Sequence, residues 1–242
     1  MAIIPYTHDG FDAHLPLLII GAGACGLVAA LAAQEAGVEL AVLERDSLPR
    51  GSTAMSSGFI PAANTRFQHE LGVTDSAEAM AEDIQKKNGF EADPAIVELL
   101  ASQSGQTIEW LADQHGVPFE LVEGFLYPGH HHLRMHATPR RTGEELMGAL
   151  LNAAEAAGID ILTQARVVDL HVDSTQRVRG VTLERPDSSR ESIGCDALVL
   201  ACNGYGGNPE LVERYLPTLK HAPYYGHEGN QGDALLWGQE MG

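Results

Sequence analysis

Basic residues are scarce in this sequence: 15 lysines and arginines stand against 33 aspartates and glutamates, a formal net charge of −18. That balance excludes the classes that need a basic face, nucleic-acid binders and proteins docked on anionic membranes, and says little about small substrates. Cysteine is scarce as well. Cys25, Cys195 and Cys202 show no CxxC spacing, so the disulfide framework of a small secreted domain is excluded and the cytoplasm is the expected compartment. No Asp, Glu, Lys or Arg occurs between Ala13 and Gln34, yet the stretch is too rich in Gly and Ala for a membrane span. No Lys or Arg precedes Arg45 to start a signal peptide, so a soluble chain without membrane insertion is expected. Tandem repeats and low-complexity linkers are absent too, and residues 1–242 read as one continuous domain.

What is present is concentrated between Leu17 and Glu44. Leu17, Leu18, Ile19 and Ile20 form the apolar run of a strand buried on both faces, and Gly21-Ala22-Gly23-Ala24-Cys25-Gly26 follows at once. In such a turn Gly21 permits the tight bend, Gly23 lets a pyrophosphate approach the backbone, and Gly26 brings helix and strand together. An Ala- and Leu-rich helix (Leu27 to Ala36), a capping Gly37 and a second apolar strand (Val38 to Leu43) complete a βαβ unit. Glu44 closes that strand, placed to accept a hydrogen bond from a ribose hydroxyl. The fold class expected is α/β, a doubly wound dinucleotide-binding sheet.

The rest of the chain is less specific. Met1 to His14 reads as a surface lead-in. Arg45 to Asn64 is rich in small and hydroxylated residues, among them Gly51, Ser52, Thr53, Ser57 and Gly58; it is either a loop donating to a pyrophosphate or flavin edge, or a plain flexible loop. Ala77, Met80, Ala81 and Ile84 mark one helix, with Asp75 and Glu78 as its capping pair; Asp93-Pro94 opens a second, with Ile96, Leu99 and Leu100 as its apolar stripe. Both belong to a helical excursion over about 67–139. His130, His131, His132 and His136, with Arg134, suggest a metal, but consecutive histidines in an extended segment point to opposite faces, and no metal is expected. A packed or solvated histidine loop is the simpler reading; a pocket in which His130, Arg134 or His136 meets an anionic or carbonyl group is the other. Thr142 and Glu145 form a capping box. A strand at Ile159 to Thr163 follows, then four β segments, at Ala165 to Val172, Val178 to Glu184, Glu191 to Cys195 and Ala197 to Ala201, the last running into Cys202-Asn203-Gly204.

Together these motifs resemble the FAD-binding flavoproteins of the fumarate reductase and succinate dehydrogenase superfamily, which includes flavocytochrome-type fumarate reductases and ketosteroid dehydrogenases. The resemblance runs from Leu17 to the last residue. It rests on GAGACG, Glu44-Arg45, Gly51 to Gly58, the strand around Val167, the segment Ala201-Cys202-Asn203-Gly204, and Gly229-Asn230-Gln231-Gly232-Asp233. Cys202 and Asn203 replace Thr and Gly of the family pattern, and Ala234 replaces a Gly. Ser52 stands where the membrane-bound relatives attach flavin through a histidine, which implies noncovalent FAD.

The resemblance implies an FAD-dependent oxidoreductase that moves hydride between flavin and a carbon-carbon bond beside a carboxylate or ketone of a small-molecule substrate. The electron partner and the direction stay open. The family's substrate-binding His and Arg residues lie beyond the position of Gly242, in a capping domain and a closing FAD-binding portion. The chain therefore reads as a fragment, inactive and binding FAD weakly by itself, with no catalytic residue assignable. A non-catalytic FAD-binding module is the alternative. An NAD-dependent dehydrogenase would not need the Ser-rich loop and second glycine turn.

Overall fold

In the computed structural model, which describes residues 2–7 and 10–242, the chain enters through β1 (Ala2–Pro5) and β2 (Ala13–Ile20). β2 ends in Leu18, Ile19 and Ile20, all buried, as a continuous apolar run requires. It feeds α1 (Ala24–Glu35), which buries Gly26, Leu27, Ala30 and Leu31, and then β3 (Leu40–Leu43), buried at every position. The helix stops at Gly37, whose φ of +75° suits glycine. In chain order there follow α2 (Gly51–Ala54), β4 (Ile60–Pro61), α3 (Arg66–Glu70), α4 (Ala77–Lys87), α5 (Pro94–His115), β5 (Glu120–Leu121), β6 (Met135–Ala137) and α6 (Gly143–Ala156). The last elements are β7 (Asp160–Leu162), β8 (Arg166–Val172), β9 (Val178–Glu184), β10 (Arg190–Leu200), α7 (Pro209–Tyr215), a 3-10 turn and α8 (Asp233–Met241).

These elements form two compact units, one running to Met55 and resuming over Ala154–Gly242, the other Ser56–Ala153. The sequence reads as a single domain with an excursion over about 67–139. The Ser56–Ala153 unit contains that excursion, and within it Ile60–Pro61, ahead of the excursion, pairs with Met135 and His136.

The first unit holds a seven-stranded sheet in the order β1-β8-β9-β10-β2-β3-β7. β10, β2, β3 and β7 run parallel, β8, β9 and β10 form an antiparallel meander, and β1 lies parallel to β8. Two expectations change here. Residues 2–5 and 13–14 of the expected surface lead-in are in sheet strands; Met1, His8 and Asp9 lie outside the described residues. The β segments at 191–195 and 197–201 are one strand, because β10 pairs with β9 over Arg190–Gly194 and with β2 over Ile193–Leu200. Leu18, Leu43, Val167, Leu170, Val181, Leu183 and Cys195 pack into the core with Trp237 of α8. Burial pushes the Cys195 thiol up to about 11.

In the second unit α4 and α5 pack around Met80, Ala101 and Ala63, with Ala77, Ala81 and Ile84 beside them. Asp93 caps α5 by accepting from the Ala95 and Ile96 N–H groups, and Gly116 ends it in the left-handed region. The cap of α4 is Ser76, which accepts from the Ala79 N–H; Asp75 is used elsewhere. The stripe expected on α5 faces water: Ile96 and Leu99 are each 64% exposed. The buried face is Val97, Ala101, Gly105, Ile108 and Leu111. Gly105 decides between them, since a Cβ there would run into the Ala63 carbonyl and only this face lets the backbones meet. A three-stranded sheet in the order β4-β6-β5 completes the unit.

Candidate functional site

β2, β3 and β10 are parallel neighbours, so their carboxyl ends open side by side onto Gly21, Glu44 and Ala201. A crevice at that edge of an open sheet is where such folds bind ligands. A cavity of about 440 Å³ lies there, within the first unit. Its walls include Gly21, Gly23, Ala24, Glu44, Arg45, Gly51, Ser52, Thr53, Val167, Ala201, Cys202, Asn203 and Asp233, thirteen of the residues singled out from the sequence.

The glycine turn is built as its spacing requires. Gly21 has φ +105°, and a Cβ on it would lie 2.5 Å from the Ala201 carbonyl oxygen, so the β2 and β10 ends could not close. A Cβ on Gly26 would run into the Gly21 carbonyl. Gly23 differs. Its φ of −75° and ψ of −178° suit any residue, and a Cβ would meet only Thr53 Oγ1, at 3.7 Å. The protein has no need of glycine there, whereas a ligand pressed on the backbone does. α1 begins beside it without a side-chain cap or an acid in its first turn, leaving a site favourable to an anion. Thr53 steadies the turn by accepting from the Ala24 N–H at 3.2 Å.

Glu44 is buried. Its carboxylate accepts from the Ala22 N–H and the Asp46 N–H, each at 3.0 Å, and so ties the glycine turn to the end of β3. The cations Arg45 and Arg166 line the same cavity. Burial holds the Asp233 carboxyl above its ordinary range, against the opposing pull of Arg166 and Arg45, and burial with the Asp233 charge raises the Cys202 thiol. Asn203, where the family pattern has glycine, sits at φ +66°, a conformation that Asn tolerates better than most residues.

Five expected residues do not line the cavity. Ala22 is wholly buried and acts through its N–H; Gly26 is a buried packing position. Gly204 is exposed, its carbonyl accepting from the Gly232 N–H. Ser57 and Gly58 belong to the second unit, where a Cβ on Gly58, at φ +67°, would meet the Thr142 carbonyl at 2.9 Å. Lining residues outside the expected site set include Asp46, Arg166 and His227, and also Cys25, Gly229 and Asn230, which lie within motifs that carry the resemblance. Gly229 and Asn230 belong to a small-residue run that carried a signal; His227 and Arg166 are isolated polar residues with none.

The histidine loop has a structural role where a ligand pocket was the alternative. Arg134, buried, donates from Nε and Nη2 to Asp75 at 2.6 and 2.8 Å and from Nη1 to Asp83, which also pairs with His131. Burial opposes ionisation of both carboxyls, yet hydrogen bonds from Arg134 and its neighbours leave them below the usual carboxylate range. His136 is fully buried. The Arg134 carbonyl can only accept, so His136 Nδ1 donates to it at 2.8 Å, and Nε2 accepts from the Thr65 hydroxyl at 2.8 Å. Burial keeps this ring neutral by lowering its pKa. Both side chains are buried and held by partners inside the second unit, out of reach of a substrate. The capping box is half formed: Thr142 accepts from the Glu145 N–H, while the Glu145 carboxylate accepts from the Arg140 N–H instead of returning to Thr142.

The sheet, the glycine turn and the acid after β3 define a dinucleotide-binding α/β protein. A family described as FAD binding domain matches residues 17–242, and the chain belongs to it. A probable fumarate reductase of Shewanella frigidimarina is 30% identical over 226 residues, covering 93% of this chain and 38% of that protein. The open conformation of a flavocytochrome c3 fumarate reductase superposes with a TM-score of 0.90 at 30% identity, covering 96% of this chain and 41% of the other. The 3-ketosteroid-Δ4-(5α)-dehydrogenase of Rhodococcus jostii, in complex with 4-androstene-3,17-dione, gives 0.87 at 26% identity, covering 98% and 55%. The chain thus spans about two fifths of the length of the curated relative. Among the described residues no helix is long and apolar enough to cross a membrane.

Proposed function

We propose that the cavity holds FAD noncovalently, and that the whole protein is an oxidoreductase acting on a carbon-carbon bond beside a carboxylate or ketone of a small molecule. The observation that carries the first part is Gly23: a glycine the protein does not need, at the start of α1, on a cavity that Glu44 also lines. Gly21, Gly23 and Ala24 would take the pyrophosphate, Glu44 the adenosine ribose, the backbone at Val167 and the Ala201 to Asn203 segment the adenine side, and Arg45, Gly51, Ser52, Thr53 and Asp233 the remaining polar groups. Bound FAD supplies the hydride chemistry. The chain's own contribution is binding and orientation: Glu44 holds the turn in the shape that accepts the phosphates, and Ser52 has a hydroxyl where a covalent link would need an imidazole.

Support for the second part comes from the relatives, whose names attach to fumarate and to a ketosteroid, alike in an activated carbon-carbon bond. Three free cysteines fit a reducing compartment, and we place the protein in the cytoplasm. The test is flavin titration of the chain followed, in the whole protein, by assays of dye-driven alkene reduction and dye-linked oxidation. FAD binding with turnover in either direction is expected. Binding of NAD in place of FAD, or flavin binding with no turnover on any alkene acid or ketone, would refute the corresponding part.

A further inference from the structure

One wall of the cavity is a strap without regular secondary structure, running from the 3-10 turn (Pro217–Leu219) to α8. Its two edges are held differently. On one side it is tied largely through the backbone: the Gly207 N–H donates to the Asn230 carbonyl at 2.9 Å, the Gly232 N–H to the Gly204 carbonyl at 3.1 Å, and Asn208 Nδ2 to the Gln231 carbonyl at 3.0 Å. Across the cavity the ties are side chains. Arg45 Nη1 donates to the Gly229 carbonyl at 3.1 Å, His227 Nε2 lies 3.2 Å from Asp46 Oδ2, and Ser52 Oγ accepts from the His227 N–H at 3.1 Å and from Asn230 Nδ2 at 2.9 Å. Gly229 makes the approach possible, since a Cβ there would collide with the Arg45 guanidinium.

We propose that residues 224–231 are a latch over the cofactor cavity, hinged at Gly204–Asn208 and fastened by the Ser52 hydroxyl, so that Ser52 is a positioning residue that sets how long the flavin stays bound. Ser52 suits this role because both its lone pairs are engaged by the strap, leaving its single proton free to donate into the cavity it lines. Latch and ligand therefore meet at one oxygen. A bound acceptor polarises that hydroxyl and strengthens the bonds it receives. The ties on the Arg45, Asp46 and Ser52 edge rest on side chains that can rotate away, whereas the hinge is held largely backbone to backbone, and the strap opens from the side-chain edge.

The inference rests on the reading of the cavity as an FAD site, and its test separates the two. Hydrogen exchange of the 221–232 peptide and the rate of FAD release are measured for the unmodified chain, Ser52→Ala and Ser52→Thr, with and without FAD in excess. In the unmodified chain FAD slows exchange in the strap. Ser52→Ala, losing two hydrogen bonds, raises strap exchange and FAD release by about tenfold, while Thr restores both. Exchange in β2 and β3 is unaltered, which a general loss of stability would not allow. FAD protection of residues 21–26 without protection of the strap, or Ser52→Ala rates within about twofold of the unmodified chain, overturns the latch and leaves the cavity reading intact. No protection anywhere by FAD overturns both.

Discussion

Replacing Glu44 by alanine separates its two tasks. Without ligand, the carboxylate accepts from the N–H of Ala22, which is wholly buried, and from that of Asp46, which water can reach. The Ala22 N–H would be left with no partner, and a lost bond between a buried backbone donor and a charged acceptor costs about 1.5–3 kcal/mol. With a small addition for Asp46, we expect Glu44→Ala to destabilise the first unit by roughly 2–3 kcal/mol. If a ribose hydroxyl also donates to this carboxylate, the folded fraction loses a further 1.5–3 kcal/mol in flavin binding, roughly 10- to 150-fold. Glu44→Gln keeps one acceptor oxygen but turns an NH2 toward one of the two N–H groups, and falls between. Urea unfolding reports the first effect, and flavin fluorescence titration of the folded variants reports the second. Stability within about 0.5 kcal/mol of the parent would show that the glycine turn does not depend on Glu44; unchanged affinity would remove Glu44 from the cofactor site.

Arg134→Ala would leave Asp75 and Asp83 buried without their cation, a loss of about 3–5 kcal/mol seen as selective unfolding of the Ser56–Ala153 unit by proteolysis; survival of that unit would contradict the ion set. Because both carboxyls titrate below their ordinary range when folded, their contribution is complete above about pH 4 and is lost as pH falls from there toward the folded values. His136, held neutral by burial, adds an earlier decline as pH drops below about 6.5, since the unfolded chain then binds a proton the folded one refuses. Unfolding midpoints measured from pH 8 to 3 should fall in these two stages, and a midpoint flat through both ranges would refute the assignment. Bound flavin should leave the polypeptide intact on acid or heat denaturation, since Ser52 has no imidazole; flavin retained on a denaturing gel would show a covalent link.

The first unit was legible because its determinants are local. A strand buried on both faces, a glycine that must turn at φ +105° and an acid at the end of the next strand each leave a mark within a few residues. Most of the cavity wall followed from that. Of the strap only the 229–232 end was legible; its pairing with Ser52 and Asp46 was not, because His227 meets Ser52 across 175 residues of sequence and no local pattern announces the contact. In the second unit the apolar pattern of α5 fits two faces, and what chooses is the contact of Gly105 with the Ala63 backbone, a tertiary fact. Asp75 likewise carries every local sign of a cap, yet satisfying Arg134 inside the unit outweighs it. β10 was read as two pieces because its polar middle, around Asp196, looks like a turn until two different neighbours share the strand.

The central claim, that the glycine turn exists to hold FAD, is tested most directly by flavin titration of Gly23→Ala beside the unmodified chain. The backbone at Gly23 accepts alanine, and the added Cβ has only Thr53 Oγ1 nearby, so folding stability should change by no more than about 1 kcal/mol, the scale of a helix cap. FAD affinity should fall at least about tenfold, because the methyl group occupies the place of the phosphates. Equal FAD affinity for the two chains, at equal stability, would contradict the account.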